Sequence, residues 1–227
     1  PCTGDGGCSA GEACVDGSCV TQRAPSKCPE SPDILACAHF DAGLDEGWEA
    51  IMDSGSSVEP TESPVVLGSG ALTCEGPGRA IASHALTPIT SGSLYGRMWL
   101  RVDSDAAALR LHGPQLMASN LTPALRLVVD GNGAWLEGIN GQLAGSTQPF
   151  AHGQWHCWRF ALTVSDTEGT VEAWLDEARM ASLQGLDTLP DVGISALTVG
   201  TQWTSAPVTL RADSVLLSTQ PVGCVDP

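Results

Sequence analysis

The chain has 227 residues, 42% of them hydrophobic, and carries 26 Asp and Glu against 10 Lys and Arg for a net charge of −16. A surface of that sign repels phosphate backbones and anionic lipid, which excludes nucleic acid as a partner, and no apolar run approaches the roughly 20 residues that a transmembrane segment requires. Nine cysteines occur without a C-x2-C pair or a paired-histidine module, so they are read as disulfide-forming and the location as extracellular or cell surface.

Pro1 is followed by no signal-peptide pattern, as expected where a leader has been removed or the start trimmed; a lipid anchor ahead of Pro1 fits the same picture. Residues 1–27 space Cys2, Cys8, Cys14 and Cys19 as C-x5-C-x5-C-x4-C among Gly, Asp and Ser. With almost nothing apolar, this segment needs disulfides in place of a core. Three pairings are open to four cysteines; Cys2–Cys14 with Cys8–Cys19 is the expected one, because crossed bridges tie such short loops into one knot. The spacing resembles the small cysteine-rich repeats near the N-termini of many secreted or surface-anchored bacterial proteins. APSKCPESPD, residues 24–33, carries three prolines and marks a linker. The expected organisation is a disulfide-rich knot at 1–27, a linker at 28–36 and one domain at 37–227.

Between Cys28 and Glu75 there are ten carboxylates and no Lys or Arg. They form either a solvated set of loops or a calcium site built on oxygen ligands, with Asp41, Asp45 and Glu46 of DAGLDEGWE as its ligands. Beyond this stretch no segment keeps a helical period for three turns, and strand signals recur instead. LYGRMWLRV alternates Leu94, Gly96, Met98, Leu100 and Val102 against Tyr95, Arg97, Trp99 and Arg101. ALRLVVDGNGAWLEG reads as two strands around Asp130-Gly131-Asn132-Gly133, a hairpin signal. His152 and His156 lie four apart in HGQWH, but Pro149, Gly153 and the surrounding strand pattern oppose the helix that would make them a zinc pair. WHCWRFALTV, GTVEAWLDEARMASL, ISALTVGTQW and PVTLRADSVLL continue the series. A dozen or so short strands separated by Gly and Pro predict an all-β, two-sheet sandwich.

The succession ACAHFDAGLDEGW, GSGALTCEG, GSLYGRMWLRV, GQWHCWRFAL, GTVEAWLDEARM and VTLRADSVLLS resembles the laminin-G-like, or concanavalin A-like, jelly-roll superfamily of lectins and glucanases. Trp155-His156 looks like that family's G-x-W-H strand entry. Val171 to Glu177 is similar to its next strand, which ends in an Asp-Gly turn; Glu177 replaces the Gly. The resemblance spans roughly residues 34–224 and implies first and last strands lying side by side, so that Cys37 would bridge to Cys224. Cys74 and Cys157, both in strands, would form a second bridge. Cys28 is then left unpaired or intermolecular.

For function, the strand GTVEAWLDE puts Glu172, Trp174 and Asp176 on one face and Val171, Ala173 and Leu175 on the other. The resemblance implies that a glucanase would carry Glu, Asp and Glu at the outward positions. Trp174 stands where the middle carboxylate would be, and Asp176 reaches less far than Glu, so no enzymatic activity is expected. A lyase built from Tyr95, Arg97 and His156 is the other catalytic arrangement available by residue type. The favoured expectation is a ligand-binding face of Arg97, Trp99, Arg101, Arg126, Glu172, Trp174 and Asp176. There indoles would stack on sugar rings while arginines held hydroxyls or uronate carboxylates. The competing reading covers the same residues with loops as an extension of the core. The expected protein is thus a non-catalytic, secreted or surface-anchored glycan-binding or adhesion module. Its alternatives are a self-associating structural subunit joined through Cys28, the N-terminal knot or open sheet edges, and a polysaccharide hydrolase or lyase.

Overall fold

The computed structural model describes residues 28–224, apart from 42, 67, 104–109 and 205–206, together with the backbone of the strands at 12–15 and 18–21. Strand signals become strands throughout, and no helix occurs among the described residues. A short antiparallel hairpin comes first, β1 (Glu12–Val15) and β2 (Ser18–Thr21). There follow β3 (Ile34–Ala38), β4 (Trp48–Met52), β5 (Ser57–Thr61), β6 (Ala71–Gly76), β7 (Ala80–Ile89) and β8 (Gly92–Val102). The middle of the chain supplies β9 (Arg110–Met117), β10 (Pro123–Asp130), β11 (Gly133–Gly138) and β12 (Gly141–Gln142). The last six are β13 (His156–Val164), β14 (Gly169–Leu175), β15 (Ala178–Leu186), β16 (Ile194–Thr201), β17 (Trp203–Thr204) and β18 (Val208–Ser218).

Two eight-stranded antiparallel sheets form the sandwich. Sheet I runs β15-β14-β13-β8-β18-β6-β5, with β3 also paired to β18; sheet II runs β12-β11-β10-β9-β16-β7-β4, with β17 also paired to β9. First and last sandwich strands are therefore neighbours, Cys37 standing opposite Leu216. Alternation along each strand sends Leu94, Met98, Leu100, Val171, Ala173 and Leu175 of sheet I inward. They meet Leu116, Leu125, Leu127, Leu136, Leu197 and Val199 of sheet II, a core of two interdigitating inner faces. Gly96 belongs to the same inward set. A Cβ there would come within 2.3 Å of the Phe160 ring, so the glycine is what lets Phe160 lie across β8.

The hairpin at Asp130–Gly133 forms as its sequence predicts, Asp130 pairing with Gly133 across Gly131-Asn132. At the β14–β15 turn the left-handed conformation falls on Asp176, with φ 53°, and not on Glu177. Asp tolerates that region better than most residues, so the turn forms with Glu177 where the resemblance expects glycine.

The disulfides differ from expectation. Cys28 bonds Cys37, and Cys157 bonds Cys224; Cys74 is a buried free thiol whose pKa burial pushes up to about 12. A Cys37–Cys224 bridge fails because Cys37 is level with Leu216, and the chain leaves β18 after Ser218 toward the outer face of sheet I. A Cys74–Cys157 bridge fails because β6 and β13 are separated by β18 and β8, about 14 Å at strand spacing. Cys74 also belongs to the core, whereas Cys157 stands on the outer side opposite Trp99. With Cys28 consumed within the chain, it is not available as an intermolecular bridge. The pairing of Cys2, Cys8, Cys14 and Cys19 lies outside the described residues.

Candidate functional site

The predicted ligand residues divide between two faces. Arg97, Trp99, Arg101, Glu172 and Trp174 all point away from the core of sheet I, as alternation requires. Arg126 points away from the core of sheet II, on the far side of the molecule. They do not form one site.

On sheet I the part of the face nearest β18 is closed. Arg97 is only 3% exposed. Its Nη1 donates to the Gly223 carbonyl at 3.1 Å and its Nη2 to Ser214 Oγ at 3.1 Å. Burial lowers its pKa from the ordinary value, and the charge of buried Asp213 opposes that. Ser214 sits at φ 48° in a bulge of β18 between Asp213 and Leu216. That bulge presents its hydroxyl to Arg97 while Asp213 Oδ2 accepts from Val66 N at 2.7 Å. The C-terminal segment thus crosses this part of the face, held by Arg97 and by the Cys157–Cys224 disulfide. Arg101 is committed too: Asp103 bridges its Nε at 2.5 Å and the Arg211 Nε at 2.6 Å. Partial burial pushes the Asp103 carboxyl up, and the two guanidiniums outweigh this and hold it below its ordinary range.

Asp176 lies just past β14, where its Oδ2 meets His156 Nδ1 at 2.9 Å and its Oδ1 accepts from Cys157 N at 2.9 Å. Burial pulls the His156 pKa down, but the contacts with Asp176 and the Ala151 backbone prevail and leave it raised. Asp176 is depressed, its burial being outweighed by His156 and the Cys157 amide. This carboxylate holds a turn; it does not face Glu172 across a cleft. The Tyr95, Arg97 and His156 set is not assembled either. His156 pairs with Leu100, five positions or about 17 Å along β8 from Tyr95, and its ring packs on Phe150.

The acidic loop uses its carboxylates locally. Asp41 Oδ1 accepts from the Ser69 and Gly70 amides at 2.6 and 3.0 Å, and Asp45 Oδ2 from the His39 and Phe40 amides at 2.8 and 3.2 Å. Asp41, Asp45 and Glu46 are not drawn into a single cluster; among the described residues the three-donor cluster is Cys28, Cys37 and His39, whose two sulfurs are already bonded to each other. The three acids do not fit a calcium site as a set, although Asp41, Asp45 and Glu46 line a hollow of about 460 Å³ with His39 and His84.

The outer face of sheet II is different in kind. Register partners place Gln142, Glu137, Arg126, Gln115, Thr198, Ser83 and Glu49 in one row across seven strands, roughly 29 Å end to end at strand spacing. Arg126 Nη2 meets Glu137 Oε2 at 2.6 Å. Gln115, fully buried, donates from Nε2 to Gln202 Oε1 at 2.5 Å, while its Oε1 and the Thr198 Oγ1 have no partner among the described residues. Gln202 also lines a neighbouring hollow of about 290 Å³ with Asp53, Arg79, Leu121 and Thr204. The adjacent row carries Trp135, Val128 and His112, with the backbone of Trp203 completing it.

Of this row the sequence singles out Arg126, grouped there with the sheet I residues; Gln115, His112, Glu137 and Thr198 were missed. One signal was available. Gly113-Pro114 interrupts β9 with a bulge, so that His112 and Gln115, three apart, both face outward opposite Val128 and Arg126. Gly and Pro inside a strand run mark such a bulge.

No family model and no curated protein matches the chain. Solved structures do. Cellulose induced protein Cip1 is 16% identical with a TM-score of 0.67 over 84% of this chain and 100% of that one. Alginate lyase Aly36B is 13% identical with a TM-score of 0.56, over 82% and 97%. A structure of botulinum neurotoxin type C, whose cell entry depends on two ganglioside molecules, is 8% identical with a TM-score of 0.56 over 84% of this chain and 49% of that one. At such identities the likeness carries the sandwich fold.

Proposed function

We propose that this chain is an extracellular, non-catalytic carbohydrate-binding protein with a laminin-G-like sandwich, and that a polysaccharide strand lies along the polar row of sheet II. One observation carries the reading: a fully buried Gln115 acceptor and the Thr198 hydroxyl, both without partners among the described residues, lie on the outer side of a sheet beside the Arg126–Glu137 pair and an indole. A buried polar atom without a partner costs about 1–3 kcal/mol, and sugar hydroxyls are matched to both a carbonyl acceptor and a hydroxyl. Trp135 adds an aromatic surface for a ring face. In this reading the ligand displaces Gln202 from Gln115. The two disulfides fit an oxidising, extracellular setting. The sandwich neighbours that act on or bind polysaccharides and gangliosides support the ligand class.

Affinity electrophoresis through neutral and acidic polysaccharides tests this. Wild type is expected to be retarded by at least one neutral polysaccharide, and Gln115→Ala with Trp135→Ala to run freely through it while still folded.

A second reading, a polysaccharide lyase, draws on His112, Gln115 and Arg126 standing on adjacent strands of one face. Such a reaction takes a proton beside a carboxylate and returns one to the leaving oxygen. The chain's single tyrosine, Tyr95, is on the other sheet and cannot share that work with His112. Appearance of ultraviolet absorbance from unsaturated uronates would favour this reading over pure binding.

A further inference from the structure

The half of the sheet I face that the C-terminal segment does not cover holds a second cross-strand row. Register partners place Arg179, Trp174, Arg159 and Arg97 side by side on β15, β14, β13 and β8. Arg97 is the closed end. Arg159 stacks over the Trp174 ring, its Cζ 4.3 Å from the centroid. Arg179 stands opposite Trp174 on the other side and is exposed. Among the described residues neither Arg159 nor Arg179 has an ion-pair partner, and Arg159 Nε has no hydrogen-bond partner. In a chain of net charge −16, two unpaired guanidiniums flanking an indole are not where chance would leave positive charge.

The carboxylates near the row do not neutralise it. Asp176 is engaged with His156 and the Cys157 amide. Glu172 is exposed one row away, opposite Ala161 and Ser182.

The geometry points to an anionic-saccharide site at Arg159, Trp174 and Arg179, separate from the sheet II row and on the opposite face of the sandwich. The indole supports the apolar face of a pyranose ring, the two guanidiniums take its carboxylate or sulfate in bidentate fashion, and Glu172 accepts from a hydroxyl. Arg159 is already stacked on Trp174, so half of the site is organised before ligand arrives. The inference rests on the carbohydrate reading above and sharpens it: a module with sites on both faces bridges two polysaccharide strands.

The test uses the full chain on columns of immobilised polygalacturonate, dextran sulfate and neutral dextran, eluted with a salt gradient. Net charge alone predicts that the protein is repelled by both anionic matrices. Retention on either is the expected result, polygalacturonate identifying carboxylate and dextran sulfate identifying sulfate as the group held. Arg179→Glu, a change at an exposed position, should cut the eluting salt concentration by about half or more. Arg159→Gln with Arg179→Gln should abolish retention. Gln115→Ala should leave retention on this face in place, which separates failure here from failure of the sheet II reading. Passage of wild type through both anionic columns, or elution of the Arg159→Gln, Arg179→Gln variant with wild type, overturns the proposal.

Discussion

Arg97 and Arg126 are both strand arginines flanked by apolar neighbours, and both point away from the core, yet they do opposite things. Arg97 is sealed under the C-terminal segment and bonded to Ser214 and Gly223. Arg126 pairs with Glu137 in a row that crosses sheet II and includes unsatisfied Gln115 and Thr198. The first arginine is a structural tie, replacing solvent with fixed partners. The second belongs to a surface whose hydrogen-bonding capacity is incomplete among the described residues. Outward orientation is therefore not evidence of a ligand site; what covers the residue decides.

The largest expected effect concerns the cover over Arg97. Replacing Cys157 and Cys224 by Ser opens a loop of 67 residues, worth about 4 kcal/mol by chain entropy. Cys28–Cys37 closes only 9, worth about 2.5 kcal/mol on the same basis. Urea unfolding of the two pairs of variants should show that order, and a larger loss from the short loop would break the comparison. Arg97→Ala should cost about 3 kcal/mol, because it strands buried Asp213. Arg97→Ala with Asp213→Asn should recover part of that. A loss below about 1 kcal/mol would mean that the Arg97 region is no structural tie.

Removing Arg126 and Glu137 together should cost less than about 1 kcal/mol, since neither leaves a buried partner charge behind. The same double variant should lose binding to neutral polysaccharide.

The His156–Asp176 pair gives a smaller, pH-dependent effect. Raised His156 stabilises the fold fully below its ordinary pKa near 6.5 and loses that contribution as pH rises through its folded value. Depressed Asp176 contributes above its ordinary value near 3.8 and loses it as pH falls through its folded value. The difference in melting temperature between wild type and Asp176→Asn should therefore peak between about pH 4 and 6.5 and shrink by pH 8. Asp176 is half exposed, so the peak corresponds to under about 1 kcal/mol. The least expected effect is that of a chelator. With Asp41 and Asp45 already holding backbone amides, EDTA should leave the melting temperature unchanged, and a marked drop would restore calcium to the acidic loop.

Much of the fold was legible because strand alternation and turn chemistry are local. Met98, Leu100 and Val102 face inward as their spacing predicts, and Asp130–Gly133 turns where its residues require. Long-range pairing was not legible. Nothing near Cys37 indicates that its partner is Cys28, nine residues before it, and not Cys224, because the choice follows from where β18 lies against β3 and β8. For the same reason Arg97, Trp99 and Arg126 looked equivalent. Alternation tells inside from outside, but neither which sheet a strand joins nor which segment crosses it. Gln115 and His112 stayed hidden because the bulge at Gly113-Pro114 broke the period that would have paired them.

The most direct test is titration of the chain with whichever neutral polysaccharide retards it in affinity electrophoresis, run in parallel with the Arg126→Ala, Glu137→Ala double variant and with Arg97→Met. The account predicts that the folded double variant loses at least tenfold in affinity, while whatever fraction of Arg97→Met remains folded binds as wild type does. Unchanged affinity in the Arg126 and Glu137 variant, with loss in the Arg97 variant, would contradict it and move the ligand to the face described here as closed.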